Sequence, residues 1–248
     1  MIKNQLKFPT PPWTKLGRTL ESAVRKALYD YQLGETDKIA IALSGGKDSL
    51  TLLALLAAIR GKGFPNWELM AVHVSGAFSC GASLEGDWLK NYCEHLEVPL
   101  AIRESEMTLE KLSCYPCSRE RRRLLFETAK EKGFETIAFG HHRDDNIQTL
   151  LMNLLHKGEF AGNLPKLKLV DFGVTVVRPL IYIAESEIRT FAEQQGFLRV
   201  MCRCPVGQQS MRRKVEQLLE EIEELYPHAR ENLSRAGLVY GSTKAERK

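Results

Sequence analysis

The sequence predicts an α/β fold: a doubly wound parallel sheet with a helix ahead of it and a helical extension after it. Three observations predict this. Short β-forming runs alternate with helical runs through most of the chain, the pattern of strands joined by covering helices. The first strand, Ile39 to Leu43, is apolar without interruption, as in strands buried on both faces. The polar motifs fall where strands hand over to helices, the carboxyl edge at which such sheets bind ligands.

In order, Leu16, Leu20, Val24, Ala27, Leu28 and Tyr31 recur at helical spacing and predict an amphipathic helix. A strand at 38–43 and a helix at 47–60 follow. A strand at 68–74, ending near His73, precedes a helix from about 84 to 95 and a short strand at 100–103. A helix at 118–132 leads to a strand at 135–139 and a helix from about 144 to 155. The stretch 156–171, with two glycines and Pro165, reads as a long excursion before a strand at 174–178. A helix at 185–195, a charged helix near 209–225 and a last helix to about 238 complete the chain. The expected division is 1–37 (N-terminal helical extension), 38–183 (nucleotide-binding domain) and 184–248 (C-terminal segment).

Ser44-Gly45-Gly46-Lys47-Asp48-Ser49 lies between the first strand and its helix. Paired glycines let backbone N–H groups converge, the serine hydroxyls add donors, and the helix directs its positive end at the same point. An anion should bind there. It is not a Walker A loop, because Ile41 stands where glycine is needed and Asp48 follows Lys47.

Gly140-His141-His142-Arg143-Asp144-Asp145 occupies a second strand-to-helix junction. Its carboxylates suit Mg²⁺ bridging a polyphosphate, or alternatively a helix cap.

Of the six cysteines, Cys114 and Cys117 form C-x-x-C and Cys202 and Cys204 a second close pair, while Cys80 and Cys93 stand apart. With no secretion signal, this is no disulfide framework. Zinc, an iron–sulfur cluster and thiol chemistry all remain open. Arg119, Arg121, Arg122, Arg123, Lys166, Arg212 and Arg213 suggest phosphate contacts, against the alternative of solvated helix faces.

Bulk properties set limits. A chain of 248 residues, 44% hydrophobic, can bury a large core, and its net charge of +4 alone is too small to demonstrate nucleic-acid binding. The longest apolar stretch falls far short of the roughly 20 residues that span a bilayer, so a cytoplasmic protein without membrane association is expected.

The motifs in order, namely Ser44 to Ser49, Cys114-Tyr-Pro-Cys117-Ser-Arg, Gly140 to Asp145 with Gln148-Thr149, Pro165-Lys166, and Arg178-Pro179-Leu180, resemble the TtcA family of tRNA 2-thiocytidine synthetases. The first hexapeptide is similar to the S-G-G-x-D-S signature of PP-loop ATP pyrophosphatases, which cleave ATP between its α and β phosphates. The resemblance spans about residues 16 to 235. It implies a PP-loop-type fold and an enzyme that exchanges the 2-oxygen of cytidine 32 in tRNA for sulfur, using ATP, Mg²⁺ and a three-cysteine 4Fe-4S cluster, with sulfur from a cysteine desulfurase. Carried over, Ser44, Gly45, Gly46, Lys47, Asp48, Ser49, His73, Gly140 and His141 hold ATP. Lys47, Asp48, Asp144 and Asp145 serve catalysis, and Asp48 and Asp144 hold Mg²⁺. Cys114 and Cys117 ligate the cluster with Cys204, Cys202 being the alternate; the family shows C-x-x-C-G where this chain has Cys202-Arg-Cys204-Pro205. Other PP-loop tRNA enzymes, making thiouridine or lysidine, are the nearest alternatives, and a zinc-stabilised RNA-binding module is a more distant one. A homodimer is expected only because dimers are common.

Overall fold

The computed structural model describes residues 8–76, 86–106, 114–197 and 211–242. Helix α1 (Lys15–Asp30) is capped by Thr14, whose hydroxyl accepts the Gly17 N–H, a contact worth about 1 kcal/mol. Strand β1 (Lys38–Ala42) passes into α2 (Lys47–Ile59), followed by β2 (Glu68–Ser75), α3 (Gly86–His95), β3 (Leu100–Glu104), α4 (Cys114–Glu131), β4 (Thr136–Ala138) and α5 (Arg143–Lys157). Then come β5 (Lys166–Leu169), a 3-10 turn, β6 (Val174–Val177), α6 (Glu185–Gln194), α7 (Met211–Leu225) and α8 (Ala229–Tyr240).

The strands form one sheet in the order β3-β2-β1-β4-β6-β5. Five run parallel, as the sequence predicts, and β5 pairs antiparallel with β6 at the edge. The excursion at 156–171 therefore contains a strand. Its Lys-Leu-Lys-Leu alternation covers four residues directly after Pro165, too short a run to stand out from a loop.

Sheet alternation divides the core. Ile39 and Ile41 of β1 enter the cluster formed with α1, α2, α3 and α6, whereas Ala40 and Ala42 face Phe126 and Ala129 of α4. Small residues on this second face leave room for the Phe126 ring of α4 against the sheet. A third cluster joins Ile147 and Leu151 of α5 to Val215 and Leu219 of α7. Among the described residues, no helix is long and apolar enough to cross a membrane.

Helix α4 begins at Cys114, four residues earlier than predicted, so the C-x-x-C sits within its first turn. Pro116 does not prevent this, since first-turn N–H groups have no intrahelical acceptor. The chain proceeds from β1 outward to β3, then returns to β4 on the other side of β1. This switch point lies between β1 and β4, and the loops leaving those two strands carry the glycine-rich and His-His motifs.

Candidate functional site

The loop after β1 is held by its own hydroxyls. Ser49 Oγ accepts the Ser44 N–H at 3.2 Å, lies 3.1 Å from Ser44 Oγ and donates to the Gly46 carbonyl at 3.0 Å, while Ser44 Oγ accepts the Gly46 N–H at 3.2 Å. Gly45 sits at φ 84°, a conformation that a side chain would strain. The loop is thus folded around the N-terminus of α2, where anions are favoured.

Gly140 brings the second motif against the first. A Cβ there would stand 3.0 Å from both Asp48 C and Ser49 N, so only glycine admits this approach. His73, buried on β2, sets its Nδ1 2.7 Å from the Leu43 carbonyl and ties the neighbouring strand to the start of the loop. Burial pushes the His73 pKa down, against the Leu43 contact that raises it, and nearby Arg121 adds to the lowering.

Lys47 Nζ lies 3.0 Å from Asp48 Oδ1 and 2.9 Å from Glu185 Oε1. Burial would lower its pKa, but the two carboxylates outweigh it and hold the ammonium above its ordinary value. The His142 ring caps α5 reciprocally: its Nδ1 accepts the Asp145 N–H at 3.4 Å and Asp145 Oδ2 accepts the His142 N–H at 3.2 Å. His142 Nε2 is 3.8 Å from Asp48 Oδ1, so the capped histidine bridges the two motifs.

His141 stacks on Phe139, with ring centroids 5.4 Å apart and planes 11° off parallel. Its Nδ1 accepts from Arg178 Nε at 3.3 Å, which places the ring proton on Nε2. Burial, then the charge of Arg178, holds the His141 pKa well below its ordinary value, while Asp145 opposes them. Arg178 is itself buried and also donates to the Leu164 carbonyl; burial and neighbouring Arg122 lower its pKa to about 10. Although it lies in the Arg-Pro-Leu motif, Arg178 carries no site role in the sequence reading.

The two carboxylates of the second motif are already engaged. Asp144 Oδ2 accepts the Glu185 N–H at 2.7 Å and Oδ1 accepts from Arg230 at 3.0 Å. Asp145 Oδ1 accepts from Arg212 at 2.7 Å. Burial raises the Asp145 pKa, but His142, His141 and Arg212 together hold it below the usual range. Asp48 is engaged by its chain neighbour: Lys47 Nζ lies 3.0 Å from its buried Oδ1, a carboxylate oxygen of the kind that hard cations take. The carboxylate of Asp48 therefore fits Mg²⁺ by sharing or yielding its contact with Lys47, whereas Asp144 would have to give up both the Glu185 N–H and Arg230.

Helix α4 carries the cysteine pair toward this edge. Arg121 donates to the Val74 carbonyl at 2.9 Å, at the end of β2, and Cys117 stands about 6 Å of helix upstream of it. Two cysteines three residues apart in one helical turn suit a shared metal centre. Cys202 and Cys204 lie outside the described residues, and among those described no three side chains gather as a metal site. The expected basic contacts divide. Arg123 pairs with Glu120 and Glu127, Lys166 donates to the Gln32 carbonyl and Arg212 to Asp145, and these three are exposed together with Arg119, Arg122 and Arg213.

Glu185 and Arg230 are the residues that sequence reasoning missed. They meet Asp144 across 41 and 86 residues of chain, respectively; the one local hint is a lone arginine among the inward positions of the last helix.

Comparison with known proteins agrees with this geometry. The model of the PP-loop domain family matches residues 16–200. The tRNA-cytidine(32) 2-sulfurtransferase of Syntrophotalea carbinolica is 37% identical over 88% of this chain and 88% of its own. That of Dechloromonas aromatica is 34% identical over 92% and 82%. Among solved structures, the U34-tRNA thiolase NcsA from Methanococcus maripaludis, with its [4Fe-4S] cluster, superposes with a TM-score of 0.69 at 25% identity, covering 90% of this chain and 77% of that one. With its glycine-rich loop at the β1/β4 switch point and its relatives matched nearly end to end, the chain belongs to the PP-loop family and, within it, to the tRNA-cytidine(32) 2-sulfurtransferases.

Proposed function

We propose that this chain replaces the 2-oxygen of cytidine 32 in tRNA with sulfur through an adenylated intermediate. The observation that carries the reading is the Ser44–Ser49 loop, folded around the N-terminus of α2 beside the helix bearing Cys114 and Cys117. The loop N–H groups, Ser44, Ser49 and Lys47 bind the polyphosphate of ATP, and Asp48 holds Mg²⁺ against it. Asp145 and His142 fix the start of α5, and His141, neutral and stacked on Phe139, faces the nucleotide. Attack of the cytidine O2 on the α-phosphorus forms the O–P bond and expels pyrophosphate. A sulfur nucleophile then adds at C2 and AMP leaves with the original oxygen. Held by Cys114, Cys117 and Cys204 (or Cys202), a 4Fe-4S cluster would supply an open iron for that sulfur. Exposed basic residues of α4 and α7, Arg119, Arg122, Arg212 and Arg213 among them, contact tRNA phosphates, and a cysteine desulfurase is the sulfur source in the cytoplasm.

The test is anaerobic reconstitution with iron and sulfide, incubation with ATP, Mg²⁺, a sulfur source and tRNA, and nucleoside mass spectrometry with pyrophosphate assay. We expect 2-thiocytidine and pyrophosphate, both dependent on ATP. Thiouridine without thiocytidine would move the reading to a uridine thiolase, and ATP consumption without pyrophosphate would overturn the adenylation step.

A further inference from the structure

A line of contacts runs from the last helix to the lysine of the glycine-rich loop. Arg230 of α8 is only 8% exposed, yet it donates to three carboxylates: Asp144 of α5 at 3.0 Å, and Glu216 and Glu223 of α7 at 2.8 and 2.6 Å. Gln148 of α5 also donates to Glu216, at 2.8 Å. Among the described residues, Arg230 supplies the only guanidinium or ammonium paired with Asp144. The other oxygen of Asp144 accepts the Glu185 N–H, fixing the first residue of α6, and the Glu185 side chain holds Lys47 Nζ at 2.9 Å.

We infer that Glu185 and Arg230 are positioning residues for Lys47: Glu185 directly, and Arg230 through Asp144 and the N-terminus of α6. An ammonium has three donors. With Asp48 and Glu185 taking two of them, one remains for a ligand of the loop. Removing the Arg230 charge leaves Asp144 buried without its counter-charge, so its carboxylate turns toward water or another donor and no longer fixes the start of α6. Glu185 then loses its register on Lys47. By this route the C-terminal helix pair, which leads out of the segment containing Cys202 and Cys204, sets the geometry of the phosphate-binding loop.

The consequence for ATP rests on the function proposed above; the contact relay can be read without nucleotide. The experiment compares amine-reagent labelling of Lys47, followed by peptide mass spectrometry, in the nucleotide-free wild type, Glu185→Gln and Arg230→Met. Labelling of Cys93 by a thiol reagent is read in the same samples, because Cys93 is 1% exposed within the main core and reacts only if that core opens. Lys47 should label about fivefold faster in both variants, the scale of a coupling carried by packed contacts, with Cys93 still protected. Unchanged Lys47 labelling in Arg230→Met beside a protected Cys93 overturns the relay, and so does exposure of Cys93 in that variant, which would make Arg230 a general support of the fold. Slowing of wild-type Lys47 labelling by ATP with Mg²⁺ is read separately: its absence removes the ATP assignment of the loop while the relay stands or falls on the nucleotide-free result.

Discussion

Asp48 and Gly140 show how much the site depends on single atoms. The buried Asp48 Oδ1 is met by Lys47 Nζ 3.0 Å away, a charge pair that sits in the loop where a cation and a phosphate would each take one partner. Lys47→Ala and Asp48→Ala should each slow single-turnover, ATP-dependent thiolation by about 100-fold, the scale of removing one electrostatic partner from a transferring group. Filter binding of tRNA should be unchanged, since neither residue belongs to the exposed basic set. Equal single-turnover rates in both variants and wild type would remove these residues from the chemistry. At Gly140 the argument is steric. A methyl group 3.0 Å from the backbone of Asp48 and Ser49 forces the first turn of α2 away from α5. Gly140→Ala should therefore destabilise the protein by about 1–3 kcal/mol, as overpacking does, and should raise the Kd for ATP. Calorimetric melting and equilibrium ATP binding read the two effects; a variant that binds ATP like wild type would show that the loop tolerates the displacement.

At the scale of elements, α4 shows how arginines on one helix are held by neighbouring acceptors. Arg121 is spent on the Val74 carbonyl, and Arg123 is held by Glu120 at 2.8 Å and Glu127 at 2.6 Å on the same helix. Arg123→Ala should leave both tRNA affinity and its salt dependence unaltered, whereas removing a cation that neutralises an RNA phosphate flattens the logarithmic salt slope by about 0.7 to 0.9. A flatter slope in that variant would place Arg123 on the RNA. The same helix explains which parts of the fold were legible. The sequence places the helix at 118–132, after the cysteine pair, and α4 begins four residues earlier; Pro116 fits in its first turn, where no acceptor is missed, a matter of capping rather than of pattern. The β1–α2 unit was legible because a continuous apolar strand, two glycines and an apolar helix all specify the same turn. β5 was not, as four alternating residues after a proline acquire strand character only by pairing with β6. Glu185 and Arg230 were illegible for a related reason: a charge at a helix start or on a helix face looks solvated until tertiary contacts bury it.

Across the whole molecule, buried imidazoles should make stability fall on mild acidification. Burial lowers the pKa of His73 and of His141, with Arg121 adding to the first and Arg178, Arg212 and Arg122 to the second. In the unfolded chain both titrate near the ordinary value of 6.5. Below that pH the unfolded state therefore binds protons that the folded state refuses, and stability declines as pH falls toward the folded values. Asp145 and Glu185 extend the decline. Burial raises both their pKa values, but the histidines and Arg212 around Asp145, and Lys47 beside Glu185, hold them below the ordinary 3.8 and 4.5. Their contribution is complete above those values and is lost as pH drops through the lower folded ones. Lys47 acts at the other end: its raised pKa stabilises the fold below 10.5, and that contribution disappears as pH rises through the folded value. The measurement is the urea midpoint of metal-free protein from pH 8 to 5, beside His141→Asn, which keeps a polar side chain but cannot titrate. The wild-type midpoint should drop below about pH 6.5, and His141→Asn should follow a flatter curve over the same interval. Parallel curves would mean that His141 takes up its proton as readily inside the fold as outside, and the Arg178 contact would then not be what keeps the ring neutral beside the loop.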